Sequence, residues 1–317
     1  MAWLLAPLAL LIERFVGYPA PLFRLIGHPV TWMGALIAAL ELRLNRGAHR
    51  RWRGVAMLAL LLAAGLVVSL AITLLVARIP FGWVIEAILA SSLLAQKELG
   101  RAVKAVADSL AVSLESGRFA VSHIVGRDPH VLDESGVAKA AVESLAESTS
   151  DGIVAPLFWL LLLGLPGIVL YKAANTADSM VGHRNERYAE FGWASAKFDD
   201  LVNWIPARLT ALLVAGAAFL VRHADPEAAW GTALRDARKH ASPNAGWPEA
   251  AFAGALGLRL GGPRAYDGEL HDLPAFGDGR SDLKAGDILS ALVLYWAALN
   301  VLLGLTIIIA LLLWRFS

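Results

Sequence analysis

Three runs in this chain carry no charged residue: Gly54–Ala77, Gly152–Tyr171 and Ile288–Trp314. A membrane span needs roughly 20 apolar residues in succession, so runs of 24, 20 and 27 residues are membrane-grade. Composition agrees, with 57% hydrophobic and 17% charged residues and a mean hydropathy of +0.57, against about 25% charged in a soluble domain. The chain is therefore predicted to be an all-α, polytopic integral membrane helical bundle with a broken or re-entrant central helix and cytoplasmic helical loops. Its membrane segments are expected at 2–19, 29–42, 54–77, 81–96, 152–171 (broken), 204–222 and 288–314. Loops 97–151 and 223–287 would be cytoplasmic. There is no internal repeat and no separate soluble domain, so residues 1–317 read as one embedded domain.

Two bulk counts exclude chemistries. No cysteine is present, which removes disulfides, thiolate metal sites, iron–sulfur clusters and cysteine nucleophiles. Lys plus Arg (28) nearly balances Asp plus Glu (27), which argues against a nucleic-acid partner. The start, MAWLLAPLALLIERF, has no basic residue ahead of its apolar stretch and no small-residue cleavage pattern, so it reads as a retained segment. Residues 2–12 stop at Glu13-Arg14, too short to cross unaided.

His28 precedes Pro29, a good helix-starting residue, and reads as an interfacial hydrogen-bonder. Arg43, Arg46, Arg50, Arg51 and Arg53 follow within eleven residues and without an acid. Such a run is a topology determinant that places its loop in the cytoplasm. After the turn at Arg78–Trp83, one helix is expected to run through Ala95 and continue past the membrane with Lys97, Arg101, Lys104 and Asp108 on a polar face.

The densest chemistry lies between Glu143 and Arg208. Lys139, Glu143, Glu147 and Asp151 recur every four residues, which puts them on one helical face. That stripe meets the charge-free run 152–171, which Pro156 and Gly164-Leu165-Pro166-Gly167 divide. A complete crossing would separate the stripe from Lys172–Asp200, whereas a re-entrant passage lets both face the cytosol. Non-helical backbone at that depth is tolerated when it lines a polar cavity, and re-entry is the favoured reading. Beyond the break, Lys172, Asn175, Ser179 and Gly182 share a face with Asp178 alongside, and Lys197, Asp199, Asp200 and Asn203 form a second polar group. Arg127-Asp128 is either a surface ion pair or an anion-binding corner. Gly261-Gly262-Pro263-Arg264 reads as a turn, since it lacks a P-loop lysine.

The resulting inventory holds Mg²⁺-type oxygen ligands, phosphate-type cations (Lys172, Arg127, Lys197, Arg208) and amides (Asn175, Asn203, Asn244). Metal, phosphate and positioning groups suit phosphoryl or acyl-phosphate chemistry. No G-x-S-x-G, H-E-x-x-H or D-x-x-D-G-x-x-A-R pattern is present, which ranks serine hydrolysis, zinc proteolysis and CDP-alcohol phosphotransfer lower. A secondary transporter would also use broken helices with intramembrane charge, and residue content leaves transport and enzymology even.

Longer blocks discriminate. E-S-L-A-E-S-T-S-D-G-I-V-A-P-L-F-W, Y-K-A-A-N-T-A-D-S-M-V-G and F-D-D-L-V-N-W-I-P-A-R-L stand in order, with G-H-P-V-T-W-M-G, I-V-G-R-D and S-P-N-A-G-W-P-E-A-A-F-A-G around them. In these blocks the chain resembles the cobinamide-phosphate synthase family of cobalamin biosynthesis, the CobD/CbiB-type membrane proteins, over essentially its whole length. The family pattern A-E-N-T is here Ala146-Glu147-Ser148-Thr149. The resemblance implies an amide ligase of the bacterial inner membrane, with its active site facing the cytoplasm. It would join a corrinoid, adenosylcobyric acid, to (R)-1-amino-2-propanol or its O-phosphate, using ATP and Mg²⁺. The alternative is a corrinoid transporter or binding protein. Further partners would be other corrinoid-pathway enzymes or a second copy of the chain.

On that reading Glu143, Glu147, Asp151 and Asp178 hold Mg²⁺ with the nucleotide phosphates. Lys172 and Arg127 bind phosphate oxygens, with Asn203, Arg208 and Asn244 as further cofactor contacts. Asn175 positions the acyl group, and Asp199 or Asp200 accepts a proton from the attacking ammonium. The acidic stripe and the lysine–asparagine face are expected to line one cytosol-facing pocket.

Overall fold

An apolar segment in lipid must satisfy every peptide group internally, which a helix does. The structure, a computed structural model, describes residues 2–126, 129–262, 264–266, 269–271 and 274–315, with the backbone alone for residue 2, 264–266 and 269–271. Fourteen α-helices occur among the described residues. They are α1 (Leu5–Phe15), α2 (Ala20–Ile26), α3 (Pro29–Leu44), α4 (Arg50–Val76), α5 (Gly82–Ser91), α6 (Gln96–Val112) and α7 (Leu114–Val121). There follow α8 (Glu134–Thr149), α9 (Ala155–Val181), α10 (Trp193–Val202), α11 (Trp204–Ala218), α12 (Pro226–Asp236), α13 (Gly246–Leu256) and α14 (Ala285–Arg315). Two short antiparallel ladders complete the chain: β1 (Leu260–Gly261) with β4 (Ala275–Phe276), and β2 (Arg264–Tyr266) with β3 (Glu269–His271).

This is an all-α, multi-pass membrane protein. Four helical segments are long and apolar enough to cross: 20–44, 50–76, 134–181 and 285–315. The pair α10 and α11 makes a fifth if it is counted as one broken span. Two of the expected membrane segments hold short helices. Within 2–19 the helix α1 has 11 residues, and within 81–96 the helix α5 has 10, both too short to span alone; they pack on each other. The expected continuous helix through Ala95 is also broken. Ser91 Oγ and Ser92 Oγ bond back to the carbonyls of Ile88 and Leu89 at 2.7 Å each. Side-chain bonds of this kind compete with the helical ladder, and the chain turns before α6 starts at Gln96.

By internal contacts the chain forms two compact units. The first comprises Met1–Ala95, Ala155–Asn203 and Thr306–Ser317, and the second Gln96–Val154 and Trp204–Leu305.

In the first unit α3, α4, α9 and α10 meet around Ile37, Met57, Leu61, Ala173, Ala177 and Phe191. Alanines on α9 let α4 approach closely, and a side chain at Gly54 would collide with the Phe191 carbonyl. Leu60, Val67, Leu74 and Leu75 of α4 remain exposed, as suits a helix solvated by lipid. Gly164 breaks α9, with φ +66° and ψ −153°. Only glycine adopts that backbone readily, and Pro166 nearby lacks a donor for the ladder.

In the second unit α13 is the centre. Every residue from Gly246 to Ala255 is buried, and α8, α11 and α12 pack against this helix. Its small residues make this possible: a Cβ at Gly254 would collide with the Ala228 carbonyl of α12. The stretch 223–287, expected as a cytoplasmic loop, thus supplies much of a packed core.

Candidate active site

The polar faces on either side of the 182–192 connection come together in the first unit. Tyr171 and Asn175 lie on α9 past the Gly164 break, Asp199 lies on α10, and Asn203 ends α10. Asn203 Nδ2 donates to Asp199 Oδ2 at 2.9 Å, Asn175 Nδ2 donates to Asp199 Oδ1 at 3.3 Å, and Tyr171 Oη donates to Asn203 Oδ1 at 2.9 Å. A carboxylate only accepts, so the amide nitrogen of Asn203 must face Asp199 and its oxygen must face the tyrosine. Tyr171, Asp199 and Asn203 are buried. Trp159 Nε1 donates to the Val202 carbonyl at 3.1 Å, tying α9 to the end of α10.

Around this chain stand the other groups named for the site. Lys172 and Asp178 are half-buried on α9. The charges of Asp178 and Asp200 reach Asp199, and Lys172 is close enough to His28 for their charges to interact. His28 itself caps α3: its Nδ1 accepts from Val30 N at 3.2 Å while Thr31 Oγ1 accepts from His28 N. Asp200 pairs with exposed Lys197 at 3.4 Å. Gly182 is required beside Asp178, whose carboxylate and carbonyl a Cβ there would strike.

Arg208 and Asn244 meet in the second unit. Arg208 Nη1 donates to the Trp204 carbonyl at 2.6 Å and to Asn244 Oδ1 at 3.2 Å, and its guanidinium lies over the rings of Trp204 and Trp247 at 4.4 and 4.8 Å. These contacts hold the 242–247 turn to α11. His240 Nδ1 accepts from Ser242 N at 2.9 Å, and its Nε2 lies 3.8 Å from buried Glu249. Nearby, Asp236 is 1% exposed. It accepts from Arg235 at 2.8 Å, Lys239 at 2.7 Å and Gly277 N at 2.8 Å. The Arg235 guanidinium, with Lys239 and the Gly277 N–H, holds this carboxyl well below the usual carboxylate range.

The acidic stripe does not form one open face. Each four-residue step turns about 40° past a full helical revolution, so the stripe winds around α8. Glu143 is buried and accepts from Gly261 N at 2.7 Å, Glu147 is exposed, and Asp151 is half-buried in a wide π-helical turn over Ser150–Val154. Glu143, Glu147 and Asp151 belong to the second unit and Asp178 to the first. Among the described residues no three His, Asp or Glu side chains gather to hold a metal. Arg127 lies outside the described residues.

Tyr171, Trp159, Trp247, His240 and Glu249 were missed in the sequence. Tyr171 ends an apolar run, and its partner lies 32 residues away; only its place one residue before Lys172 hinted at the polar face.

A family comparison matches the model described as CobD/Cbib protein over residues 6–295. The chain belongs to the CobD/CbiB family. Among curated CobD/CbiB relatives, the cobalamin biosynthesis protein CobD of Rhodobacter capsulatus is 50% identical over 313 residues, covering 96% of each chain. Proteins of the same name from Brucella suis biovar 1 and Sinorhizobium fredii are 48% and 46% identical, covering 95% and 98% of this chain and 94% and 97% of theirs. No solved structure matches. The match to the CobD/CbiB family runs through both units, including the Tyr171–Asn203 chain and the Arg208 turn.

Proposed function

We propose that this protein is an ATP-dependent amide ligase of cobalamin biosynthesis in the bacterial inner membrane, working from the cytoplasmic side. It joins adenosylcobyric acid to (R)-1-amino-2-propanol or its O-phosphate. The observation that carries this reading, beyond the family, is the buried Tyr171–Asn203–Asp199–Asn175 chain beside Lys172 and Asp178.

A carboxylate is a poor acyl donor, because an amine does not displace oxide from it. Transfer of the γ-phosphoryl of ATP to the corrinoid carboxylate makes an acyl phosphate and releases ADP. The amine then attacks the carbonyl carbon, the C–N bond forms, phosphate leaves and one proton must be removed from nitrogen. Asp199 is the candidate acceptor for that proton, with Asp200 as its neighbour. Asn175 and Asn203 fix the carboxylate, and Tyr171 fixes Asn203. Lys172 offsets charge on the transferring phosphoryl group. Asp178, half-buried beside the Asp199 chain, would be the carboxylate to hold a Mg²⁺ accompanying ATP, and that ion would offset phosphate charge. Arg208 and Asn244 act at one remove, through the turn they hold.

The test is product formation by the purified full-length protein in detergent micelles, with adenosylcobyric acid, ATP, Mg²⁺ and each amine. An amide product is expected, and Lys172→Ala and Asp178→Ala should lower its rate. Wild-type turnover in both variants would remove these residues from the mechanism. The break in α9 at Gly164 also suits a corrinoid transporter, since transporters use discontinuous helices. Micelles hold no gradient, so corrinoid binding without any amide product would favour that second reading.

A further inference from the structure

The join between α3 and α4 carries more than topology requires. Its five residues, Asn45–His49, include Gly47 and His49 with φ near +60°, and the turn closes against the 186–187 segment of the same unit. A cavity of about 650 Å³ opens there, lined by Glu41, Asn45, Arg46, Arg50, Glu186 and Arg187 among others.

Cations exceed anions around this cavity, and most are held by neutral groups. Arg187 pairs with buried Glu41 at 3.0 Å. Arg50 donates to Asn45 Oδ1 at 2.8 Å and to the carbonyls of Glu186 and Arg187. Arg53 donates to the Arg46 carbonyl at 2.6 Å, and Arg51 lies over the Trp193 ring at 3.7 Å. The Arg46 guanidinium is exposed and makes no hydrogen bond or ion pair among the described residues. Three arginines, Arg50, Arg51 and Arg53, are thus set in place without a carboxylate partner of their own, and Arg46 stands exposed beside them. The positive-inside rule asks only for charge in such a loop; it asks for neither a cavity nor fixed guanidinium groups.

Position identifies the occupant. Two candidate spans, 20–44 and 50–76, end at this corner, so it stands at the membrane boundary. Leu42 and Trp52 beside it are 63% and 73% exposed, as residues facing lipid and its interface are. We propose that the α3–α4 corner is a binding site for the phosphate headgroup of an anionic phospholipid, with Arg46, Arg50 and Arg53 as its cations. Basic pockets at the ends of spans recognise such headgroups by charge and hydrogen bonding. Acyl chains would then lie along the exposed faces of Leu42 and Trp52.

The test uses delipidated full-length protein in detergent, titrated separately with phosphatidylglycerol, phosphatidylcholine and inorganic phosphate, with native mass spectrometry counting the bound molecules. Phosphatidylglycerol should bind at least about tenfold more tightly than phosphatidylcholine. Arg46→Gln should weaken it about fivefold, and Arg46→Gln/Arg53→Gln further still. Arg46 holds nothing else, so its variant keeps the fold even if an Arg50 variant does not. The control Arg101→Gln/Lys104→Gln, on exposed α6, should leave lipid binding unchanged. Equal binding of the two lipids, wild-type retention by the double variant or an equal loss in the control would overturn the proposal. So would inorganic phosphate displacing the lipid at equal concentration, because the site would then belong to a soluble anion.

Discussion

Asp199 and Asp236 are both buried, one in each unit, and they are satisfied by opposite means. Asp236 is clasped by Arg235 and Lys239 and by the Gly277 N–H. Among the described residues Asp199 has two amide donors, Asn175 and Asn203, with the charges of Asp178 and Asp200 near it. A carboxylate neutralised by two cations is fixed in charge and place, and serves as a joint between α12, the turn after it and β4. One held by neutral amides keeps its charge available to a substrate. The difference separates a scaffold acid from a candidate working acid, although sequence presents both simply as aspartates on helices.

The hardest test of that distinction is the same substitution at both sites. Asp199→Asn removes the proposed proton acceptor and turns an amide N–H toward one of the two asparagine donors. Amide formation should fall by about 10²–10⁴-fold, the range for loss of a general base, while the protein still inserts and folds. Asp236→Asn should leave the turnover of the folded fraction unchanged. Wild-type turnover with Asp199→Asn, or a matching catalytic loss with Asp236→Asn, would break the comparison.

Stability should respond the other way round. Asp236→Asn weakens the ion pairs and the acceptor for Gly277 N, a loss of about 1–3 kcal/mol. The sign with pH follows from linkage. The folded carboxyl lies below its unfolded value near about 3.9, so its contribution is fully present above that value and is lost as pH falls through the folded pKa. Thermal unfolding in detergent should therefore show a stability decline below about pH 4 that is shallower in Asp236→Asn. Equal slopes in both proteins would mean that the clasp does not act as an ionised pair.

A third substitution asks whether the amide chain works as a unit. Tyr171→Phe leaves Asn203 Oδ1 without its buried donor and should cost about 0.5–1.5 kcal/mol in stability. Tyr171 acts through Asn203, so kcat should fall while KM stays near wild type. A change confined to unfolding temperature would reduce Tyr171 to a packing role.

How far the sequence could be read follows from the range of each interaction. The spans α4 and α14 were legible because lipid demands uninterrupted apolar runs, and the α9 break was legible because Gly164 and Pro166 act on their own backbone. The polar face of α9 showed through its three- and four-residue steps. What was hidden depends on distant partners. Tyr171 meets Asn203 across a connection, α13 is buried on all sides with no apolar stripe to announce it, and the Ser91–Ser92 break rests on rotamers. Equal spacing along the acidic stripe does not give equal environment, because each step of four drifts around the helix: Glu143 is buried and Glu147 exposed.

Glu143 offers the finest test. If its carboxylate serves as acceptor for Gly261 N, Glu143→Gln keeps an oxygen in the same place and should change stability by less than about 0.5 kcal/mol, with turnover preserved. Glu143→Ala would leave the N–H unpaired and should cost about 1–3 kcal/mol. A metal ligand behaves differently, since glutamine keeps the shape and loses the charge that binds Mg²⁺. Ligase activity that collapses in Glu143→Gln at unchanged unfolding temperature, and is recovered at raised Mg²⁺, would return Glu143 to the metal. Preserved activity would leave it, with Asp236, among the acids that build the second unit.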